Sequence, residues 1–281
     1  METEDYFSKR KRKFLKRAVP FLNRITLGYR WLMRNRKALA FYDGSTPLIV
    51  SLTSYPPRFA TLHLTIKSLL LQRLQPTRLI LWIAYTDAER LPDEVIKLKA
   101  EGLEIRYCED LKSYKKIVPA LEVFPNAVIV TADDDIYYWP DWLGELIQES
   151  KKYPCDVIAH RVHRIRYSGT TIRPYSEWLE NVADAVVSGA NFATGIGGVL
   201  YPPGCFNTEV LAKEKFMGFC PNADDVWLYW MVRLNGRHVR RSSTRKVPYP
   251  WRGSQEISLW KENRTYNDMQ ITRMIDAYGV P

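Results

Sequence analysis

Three consecutive aspartates, Asp133, Asp134 and Asp135, follow the apolar run 128–130. Adjacent carboxylates repel one another, so such a run is unfavourable unless a cation or several hydrogen-bond donors neutralise it. Hard divalent ions such as Mg²⁺ and Mn²⁺ prefer oxygen ligands and keep positions for water and substrate phosphates. The motif therefore predicts a metal-diphosphate site, and a solvated acidic turn is the alternative. The aromatic residues 137–139 favour the metal site, because a solvated turn needs no such neighbours.

A second acidic pair, Asp224 and Asp225, stands at the head of an apolar stretch that predicts a helix to about Leu234. Acids in a first helical turn often serve only as caps and dipole partners. Two adjacent carboxylates at this place could also supply a general base or hold a reacting centre. The Gly-rich stretch 193–204 precedes the pair, and its glycines would let a backbone approach a ligand closely.

Hydroxyl, aromatic and basic side chains lie beside two further predicted elements, a strand and a short helix. The apolar strand 48–52 opens into Thr53, Tyr55 and Arg58, which could stack on a base and contact phosphate or simply form a strand-to-helix turn. Lys116 begins a short helix and could reach a phosphate, although surface lysines at helix starts are common. The chain has no Gly-x-Gly-x-x-Gly or Walker lysine motif, so dinucleotide binding and P-loop chemistry are not indicated.

The elements that must position these groups alternate along the chain. Strands are predicted over 48–52, 79–84, 103–107 and 128–130, with helices over 59–72 and 93–100 between them. This order predicts an α/β fold with a doubly wound parallel sheet, whose carboxyl edge carries the acids. Later elements are a helix over 140–152, a strand with a cationic face over 160–166 and a last strand over 238–241. We expect the tail from residue 248 to fold back over the site before a terminal helix.

Charge is distributed unevenly. The net charge is +10, but residues 1–40 hold twelve Lys/Arg against three Asp/Glu, which leaves 29 basic and 28 acidic residues in the remainder. Basic and large apolar residues alternate in this arm, residues 1–45, which predicts an amphipathic segment on an anionic membrane. A helix packed on the body with a basic solvated face is the alternative, and nucleic-acid binding is less favoured because no recognised module accompanies the patch.

Composition limits the remaining possibilities. The 281 residues, 46% of them hydrophobic, suit one catalytic domain over 46–281 after the arm. Four scattered cysteines suggest neither a zinc site nor a disulfide framework, and they fit a cytoplasmic protein. No apolar run is long enough for a transmembrane helix, and no signal peptide is expected.

Four motifs together carry a family resemblance: TADDDIYY (131–138), NADDVW (222–227), SLTSYPPRF (51–59) and ATGIGGVLYPP (193–203). With them the chain resembles bacterial nucleotide-sugar glycosyltransferases of the glycosyltransferase-A fold, the DxD type, and more faintly the exostosin-like transferases. The resemblance covers about residues 46–270. It implies a Rossmann-like, mostly parallel central sheet flanked by helices, with the basic helical arm outside it.

The resemblance also implies roles for single residues. It makes Asp133 and Asp135 the ligands of Mn²⁺ or Mg²⁺, and it places a further set against the nucleotide-sugar donor: Thr53, Tyr55, Arg58, Lys116, Asp133 and Asp134. Asp225, with Asp224 beside it, matches the acid next to the anomeric carbon or the acceptor hydroxyl. An inverting enzyme would use it as a base, and a retaining one would use it to stabilise positive charge; the sequence leaves both open.

The expected function is transfer of a sugar, most simply from a UDP-sugar, to a glycan or lipid-linked acceptor in bacterial capsule or lipopolysaccharide synthesis. The enzyme would lie peripherally on the cytoplasmic face of the membrane, held by the arm. Two other interpretations stay open: a metal-dependent nucleotidyl or phosphoryl transferase, and a non-enzymatic basic protein that binds membrane or nucleic acid.

Overall fold

The computed structural model describes residues 18–35, 39–184, 186–243, 246, 248–254 and 260–281, with the side chains of 260–265 left aside. Residues 1–17 of the predicted arm lie outside the described residues. In the described part, seven strands form the central sheet: β1 (Leu48–Thr53), β2 (Arg78–Ala84), β3 (Leu103–Cys108), β4 (Val128–Ala132), β5 (Val157–Ala159), β6 (Val199–Tyr201) and β7 (Val239–Arg241). Their order is β7-β5-β6-β4-β1-β2-β3. All neighbouring pairs are parallel except those of β6, which confirms the predicted mostly parallel α/β sheet.

The sheet is buried on both faces, as its apolar composition requires. Alternate residues of one strand join different clusters: Ile49 packs in the first, while Leu48 and Val50 pack in the second. Every residue of β4 is buried, so this strand runs through the centre of the molecule and ends at the three aspartates.

Helices cover both faces. Residues 18–32 form α1, followed by α2 (Phe59–Leu70), α3 (Asp93–Ile96), α4 (Val118–Val123), α5 (Trp142–Lys152), α6 (Lys213–Phe219), α7 (Asp224–Leu234) and α8 (Trp260–Tyr278). Single 3-10 turns lie at Pro56–Arg58, Tyr85–Arg90, Lys97–Glu101, Lys112–Lys116, Tyr175–Glu177 and Thr208–Leu211. The helix predicted over 93–100 is thus α3 followed by a 3-10 turn.

Three short strand pairs complete the described structure: Ala40–Phe41 with Leu74–Gln75, Val162–Arg164 with Asn191–Ala193, and Tyr167–Ser168 with Thr171–Ile172. The strand predicted over 160–166 is therefore reduced to Val162–Arg164. Its expected cationic face is wrong in part, because His160 and His163 are only 2% and 3% exposed. Burial lowers the pKa of both imidazoles to about 4, so they are neutral at physiological pH.

The strand order reverses between β1 and β4, and this reversal decides where a ligand can bind. From β1 the chain adds β2 and β3 on one side, and β4 then pairs with the other side of β1. Loops leave the carboxyl ends of two such strands in opposite directions and open a crevice between them. The register pairs Leu52 with Ala132, so the segments that begin at Thr53 and Asp133 line this crevice together.

Helix α1 packs on the body with one of its faces. Leu27, 1% exposed, joins a small cluster with Leu64, Leu71 and Trp251. The Arg30 guanidinium donates to the carbonyl oxygen of Leu71 at 2.6 Å. Within the described part of the chain, no helix is both long and apolar enough to cross a membrane.

Candidate active site

The backbone of the three aspartates is held from three directions. The Asp133 N–H donates to the Tyr138 hydroxyl at 2.7 Å, and the Thr65 hydroxyl donates to the Asp134 carbonyl at 2.9 Å. The Trp251 backbone N–H donates to the Asp135 carbonyl at 2.8 Å. Because Trp251 belongs to the segment after residue 248, the predicted return of the tail over this site is confirmed at Trp251. The carboxylates are therefore presented by a fixed turn.

Arg58 neutralises two of these carboxylates. Its Nη1 lies 3.2 Å from Asp134 Oδ1 and also forms an ion pair with Asp135, and the Ser54 hydroxyl donates to Asp134 Oδ2 at 2.6 Å. Burial lowers the pKa of the guanidinium, but Asp135 and Asp134 outweigh that effect and raise it. The 3-10 turn Pro56–Arg58, which follows β1, brings this cation into the crevice.

Lys116 joins the two acidic segments that are distant in sequence. Its Nζ lies 2.9 Å from Asp224 Oδ2 and 3.8 Å from Asp133 Oδ1, with a side chain that is 10% exposed. Burial lowers the pKa of the ammonium, yet Asp224, Asp133 and Asp225 together raise it, so Lys116 stays charged. We call Asp133, Asp134, Asp135, Asp224 and Asp225 the acidic cluster.

Gly195 closes the space between Lys116 and the second acidic pair. Its N–H donates to Asp225 Oδ2 at 3.2 Å. A Cβ at this position would stand 2.9 Å from Lys116 Nζ and 3.3 Å from Asp225 Oδ1. The Gly-rich stretch thus allows a backbone to approach the acidic cluster, as its composition indicates.

Burial raises the pKa of several carboxylates of the acidic cluster. Burial raises the pKa of Asp225 to about 7, Asp224 adds to the rise, and Lys116 opposes it. Burial also raises the pKa of Asp135 to about 7 against the opposing charge of Arg58. The pKa values of Asp133 and Asp134 are raised by burial as well. A carboxylate with a pKa near 7 is suited to accept a proton at physiological pH.

The acidic cluster offers an open oxygen atom to a divalent ion. No three His, Cys, Asp or Glu side chains of the described residues are arranged to hold a metal. Mg²⁺, however, is commonly bound by one or two carboxylates together with substrate phosphates and water. Asp133 Oδ2 is buried and has no hydrogen-bond partner, which is the open acceptor that such an ion needs. Asp135 forms an ion pair with Arg58, so Asp133 supplies the open oxygen of the two predicted ligands.

The basic, aromatic and hydroxyl residues predicted to bind the donor make different contacts at the crevice. Arg58 and Lys116 contact the acids directly, and the half-buried Tyr55 lies beside Arg58. The Thr53 hydroxyl instead donates to the carbonyl of Trp82 at 2.8 Å, so its hydrogen is already used within the sheet.

Three residues of the site were not singled out from the sequence: Ser54, Thr65 and Trp251. Ser54 lies in the quoted motif SLTSYPPRF and could have been selected as the hydroxyl nearest the strand end. The tail is predicted to return over the site, but no local pattern selects Thr65 or Trp251 individually, because only the tertiary structure brings these two side chains to the aspartates.

No protein-family model and no curated protein sequence matches the chain. Solved structures with a similar fold include S. aureus TarS 1-349 in complex with UDP, at 14% identity and a TM-score of 0.47 over 73% of this chain. The match spans 60% of that TarS chain. A second TarS 1-349 structure matches at 12% identity and a TM-score of 0.44, over 83% of this chain and 73% of that one.

A CMP:2-keto-3-deoxy-manno-octonic acid synthetase complexed with CTP matches at 10% identity and a TM-score of 0.44, over 80% of this chain and all of its own. Such low values carry no activity from one protein to another.

Proposed function

We propose that this protein is a metal-dependent glycosyltransferase that takes a sugar from a nucleotide-diphosphate sugar, most simply a UDP-sugar. One observation carries the proposal: the acidic cluster, with the open Asp133 Oδ2, lies at the carboxyl edge of the sheet where the strand order reverses. That edge is where open α/β sheets bind nucleotides. Arg58 and Lys116 lie beside the acids, so the site combines positive groups for phosphates with carboxylates for a metal ion.

On the donor side, Asp133 and Asp135 would hold Mn²⁺ or Mg²⁺. When bound, the ion stabilises negative charge on the departing diphosphate as a Lewis acid. Arg58 already bridges Asp134 and Asp135 and can orient both carboxylates. Tyr55, beside Arg58, supplies an aromatic face for the base. Lys116 supplies a fixed positive charge at the inner end of the crevice.

On the acceptor side, Asp225 is the residue that moves the proton. An acceptor hydroxyl is a poor nucleophile, and a carboxylate with a pKa near 7 can take its proton as the new bond forms. Asp224 holds Lys116 and so fixes the charge beside Asp225. These are the roles for an inverting reaction. In a retaining reaction the Asp225 carboxylate would stabilise positive charge at the anomeric carbon, and the configuration of the product distinguishes the two.

The acceptor belongs to the same proposal. A glycan or a lipid-linked sugar in capsule or lipopolysaccharide synthesis, at the cytoplasmic face of the membrane, fits a near-neutral body joined to a basic N-terminal arm.

Calorimetric titration with UDP and GDP, in Mn²⁺ and in EDTA, tests the donor site. We expect metal-dependent binding of one nucleotide by the wild type and its loss in Asp133→Asn. The matched control is Asp141→Asn, an exposed aspartate paired with Arg73 outside the site, which should bind normally. Absence of binding to either nucleotide by the folded protein would overturn the proposal.

The Asp225→Asn variant separates binding from chemistry. It should bind the nucleotide like the wild type but release the nucleoside diphosphate from its sugar donor about 100-fold to 10,000-fold more slowly. An unchanged release rate would remove Asp225 from the mechanism. Turnover of a nucleoside triphosphate with release of pyrophosphate would instead identify a nucleotidyl transferase.

A further inference from the structure

Helix α1 exposes a continuous face of large apolar side chains. At about 100° per residue these side chains fall within an arc of about 120°. They are Phe21 (64% exposed), Leu22 (56%), Ile25 (56%), Tyr29 (65%), Leu32 (79%) and Met33 (63%), which directly follows the last residue of the helix. Single exposed apolar residues are ordinary on protein surfaces, but six on one helix face form a patch of the kind that marks a binding surface. We call these six residues the outer face of α1.

The opposite face of α1 is already anchored. Leu27 is buried against Leu64, Leu71 and Trp251. Arg30 donates through Nη2 to the Leu71 carbonyl at 2.6 Å and through Nη1 to the Tyr137 hydroxyl at 3.2 Å. Rotating the helix to bury the outer face would break these contacts. The outer face is therefore left for a partner outside the described structure.

The charge around α1 indicates what that partner is. Residues 18–40 contain five Lys/Arg and no acidic residue, and the preceding seventeen residues add seven more Lys/Arg against three acids. Exposed Arg24 lies at one edge of the outer face, and Arg34 follows the helix and pairs with Glu101. A nucleic acid would match the charge but not six apolar side chains, whereas an anionic bilayer matches both.

A basic recess lies beside the same face. A cavity of about 330 Å³ opens between the end of α1 and the end of α2, next to Tyr29 and Met33. Arg30, Arg34 and Arg73 line it together with Glu101, which pairs with Arg34 at 2.8 Å. The net positive charge of the recess at the edge of an apolar face suits lipid phosphates, although each of its three guanidinium groups also has a partner within the protein.

We propose that the outer face of α1 is a membrane-docking surface that inserts into the headgroup region of an anionic bilayer. The proposal deepens the cytoplasmic-membrane location given above, but it rests on α1 alone and needs no sugar transfer. During docking the inner face of the helix would stay packed on the body while the outer face contacts the bilayer. Leu27 and Trp251 share one small cluster, and the Trp251 N–H holds the Asp135 carbonyl, so α1 packs on the part of the body that supports the acidic cluster.

Co-sedimentation with vesicles tests the proposal on the full chain. Vesicles of phosphatidylcholine alone are compared with vesicles that also contain phosphatidylglycerol, at low and at high salt. We expect strong partitioning onto the anionic vesicles, weakened by salt, and little onto the neutral ones.

The variant pair Ile25→Ser with Leu32→Ser removes two exposed side chains from the outer face. Its partition coefficient should fall about 100-fold, since each buried aliphatic side chain contributes about tenfold. The matched control is Ile96→Ser with Val123→Ser, at 43% and 48% exposure on other helices, which should partition like the wild type. Circular dichroism and the unfolding midpoint verify that both variants are folded.

Three results would overturn the proposal. These are a wild type that does not bind anionic vesicles, an outer-face variant that binds as well as the wild type, and a wild-type dimer in light scattering that the outer-face variant disperses. The last would identify a second copy of the chain as the partner. Nucleotide titration uses no lipid, so failure of the docking surface and failure of the proposed transferase are seen separately.

Discussion

Replacing Lys116 by methionine should show how strongly the acidic cluster depends on its internal cation. Methionine keeps most of the length of the side chain but removes the charge that lies 2.9 Å from Asp224 and 3.8 Å from Asp133. The Lys116 and Asp224 side chains are only 10% and 9% exposed, so water cannot replace the lost partner. Removing one member of a buried ion pair costs about 3–5 kcal/mol, a large part of the stability of an ordinary domain.

Lys115 provides a matched control within the same 3-10 turn. Its side chain is also buried, but its Nζ pairs at 2.6 Å with Asp110, whose side chain is 57% exposed. Water can solvate Asp110 when the lysine is lost, so Lys115→Met should cost less than about 1 kcal/mol. Urea unfolding of both variants and the wild type, at a series of pH values, measures the difference.

The pH dependence identifies the cause. In the fold, the pKa of Asp225 is about 7 against its ordinary 3.8, so the folded state binds this proton more tightly than the unfolded chain. The stability that this acid contributes is fully present below about pH 4 and is lost as the pH rises through about 7. Lys116 opposes the rise in the pKa of Asp225, so its removal makes this loss of stability larger. The difference in unfolding free energy between the wild type and Lys116→Met should therefore grow between about pH 5 and pH 8.

Equal unfolding free energies for the two methionine variants near pH 8 would refute this reasoning. So would a Lys116→Met deficit that does not change with pH, because it would then come from packing and not from the carboxylates. Adding Asp224→Asn to Lys116→Met should restore part of the lost stability, since it removes a buried charge that has lost its partner.

Further predictions concern the structure around the site. A Cβ on Gly198, whose φ is +98°, would lie 2.5 Å from the buried Trp142 ring, so Gly198→Ala should lower the free energy of unfolding by about 3 kcal/mol or more. The control is Gly204, whose φ is +69° and whose Cβ would meet no atom within 4 Å. Gly204→Ala should lower the free energy of unfolding by about 1 kcal/mol. Burial lowers the pKa of His160 to about 4, so the stability it contributes above pH 6.5 is lost as the pH falls through 4. In urea titrations the free energy of unfolding of His160→Gln should therefore fall by about 3 kcal/mol less than that of the wild type between pH 6.5 and pH 4. Leu27→Ala opens a cavity under α1 and should speed hydrogen exchange in residues 18–32.

Much of the fold could be predicted because local patterns agree with the tertiary structure. The runs at β1 and β4 lack polar alternation, which is the composition of strands covered on both faces. Helix α2 begins at Phe59 and α7 at Asp224, as the apolar periodicity indicates. The closeness of Arg58 to the aspartates follows from parallel pairing, since Leu52 lies opposite Ala132.

The pairing of individual charges could not be predicted. Lys115 and Lys116 are identical neighbours in the sequence, yet one pairs with Asp110 at the surface and the other with Asp224 and Asp133 in the crevice. The difference comes from the direction of each side chain on a 3-10 turn, which sequence periodicity does not contain. His160 is a similar case: alternation predicts an exposed cation, but Ser242 Oγ, 2.6 Å from its Nδ1, holds the ring inside the fold.

The structure also connects two regions that charge alone separates. The positive charge of α1 assigns this helix to the basic arm. Its buried residue Leu27, however, packs in one cluster with Trp251 of the body. Trp251 donates through its indole to Thr65 at 2.8 Å, and Thr65 donates in turn to the Asp134 carbonyl. The backbone N–H of the same tryptophan holds the Asp135 carbonyl. The helix that carries the outer face thus covers the groups that fix two of the three aspartates, so a bilayer that holds α1 in place would also hold the support of the acidic cluster.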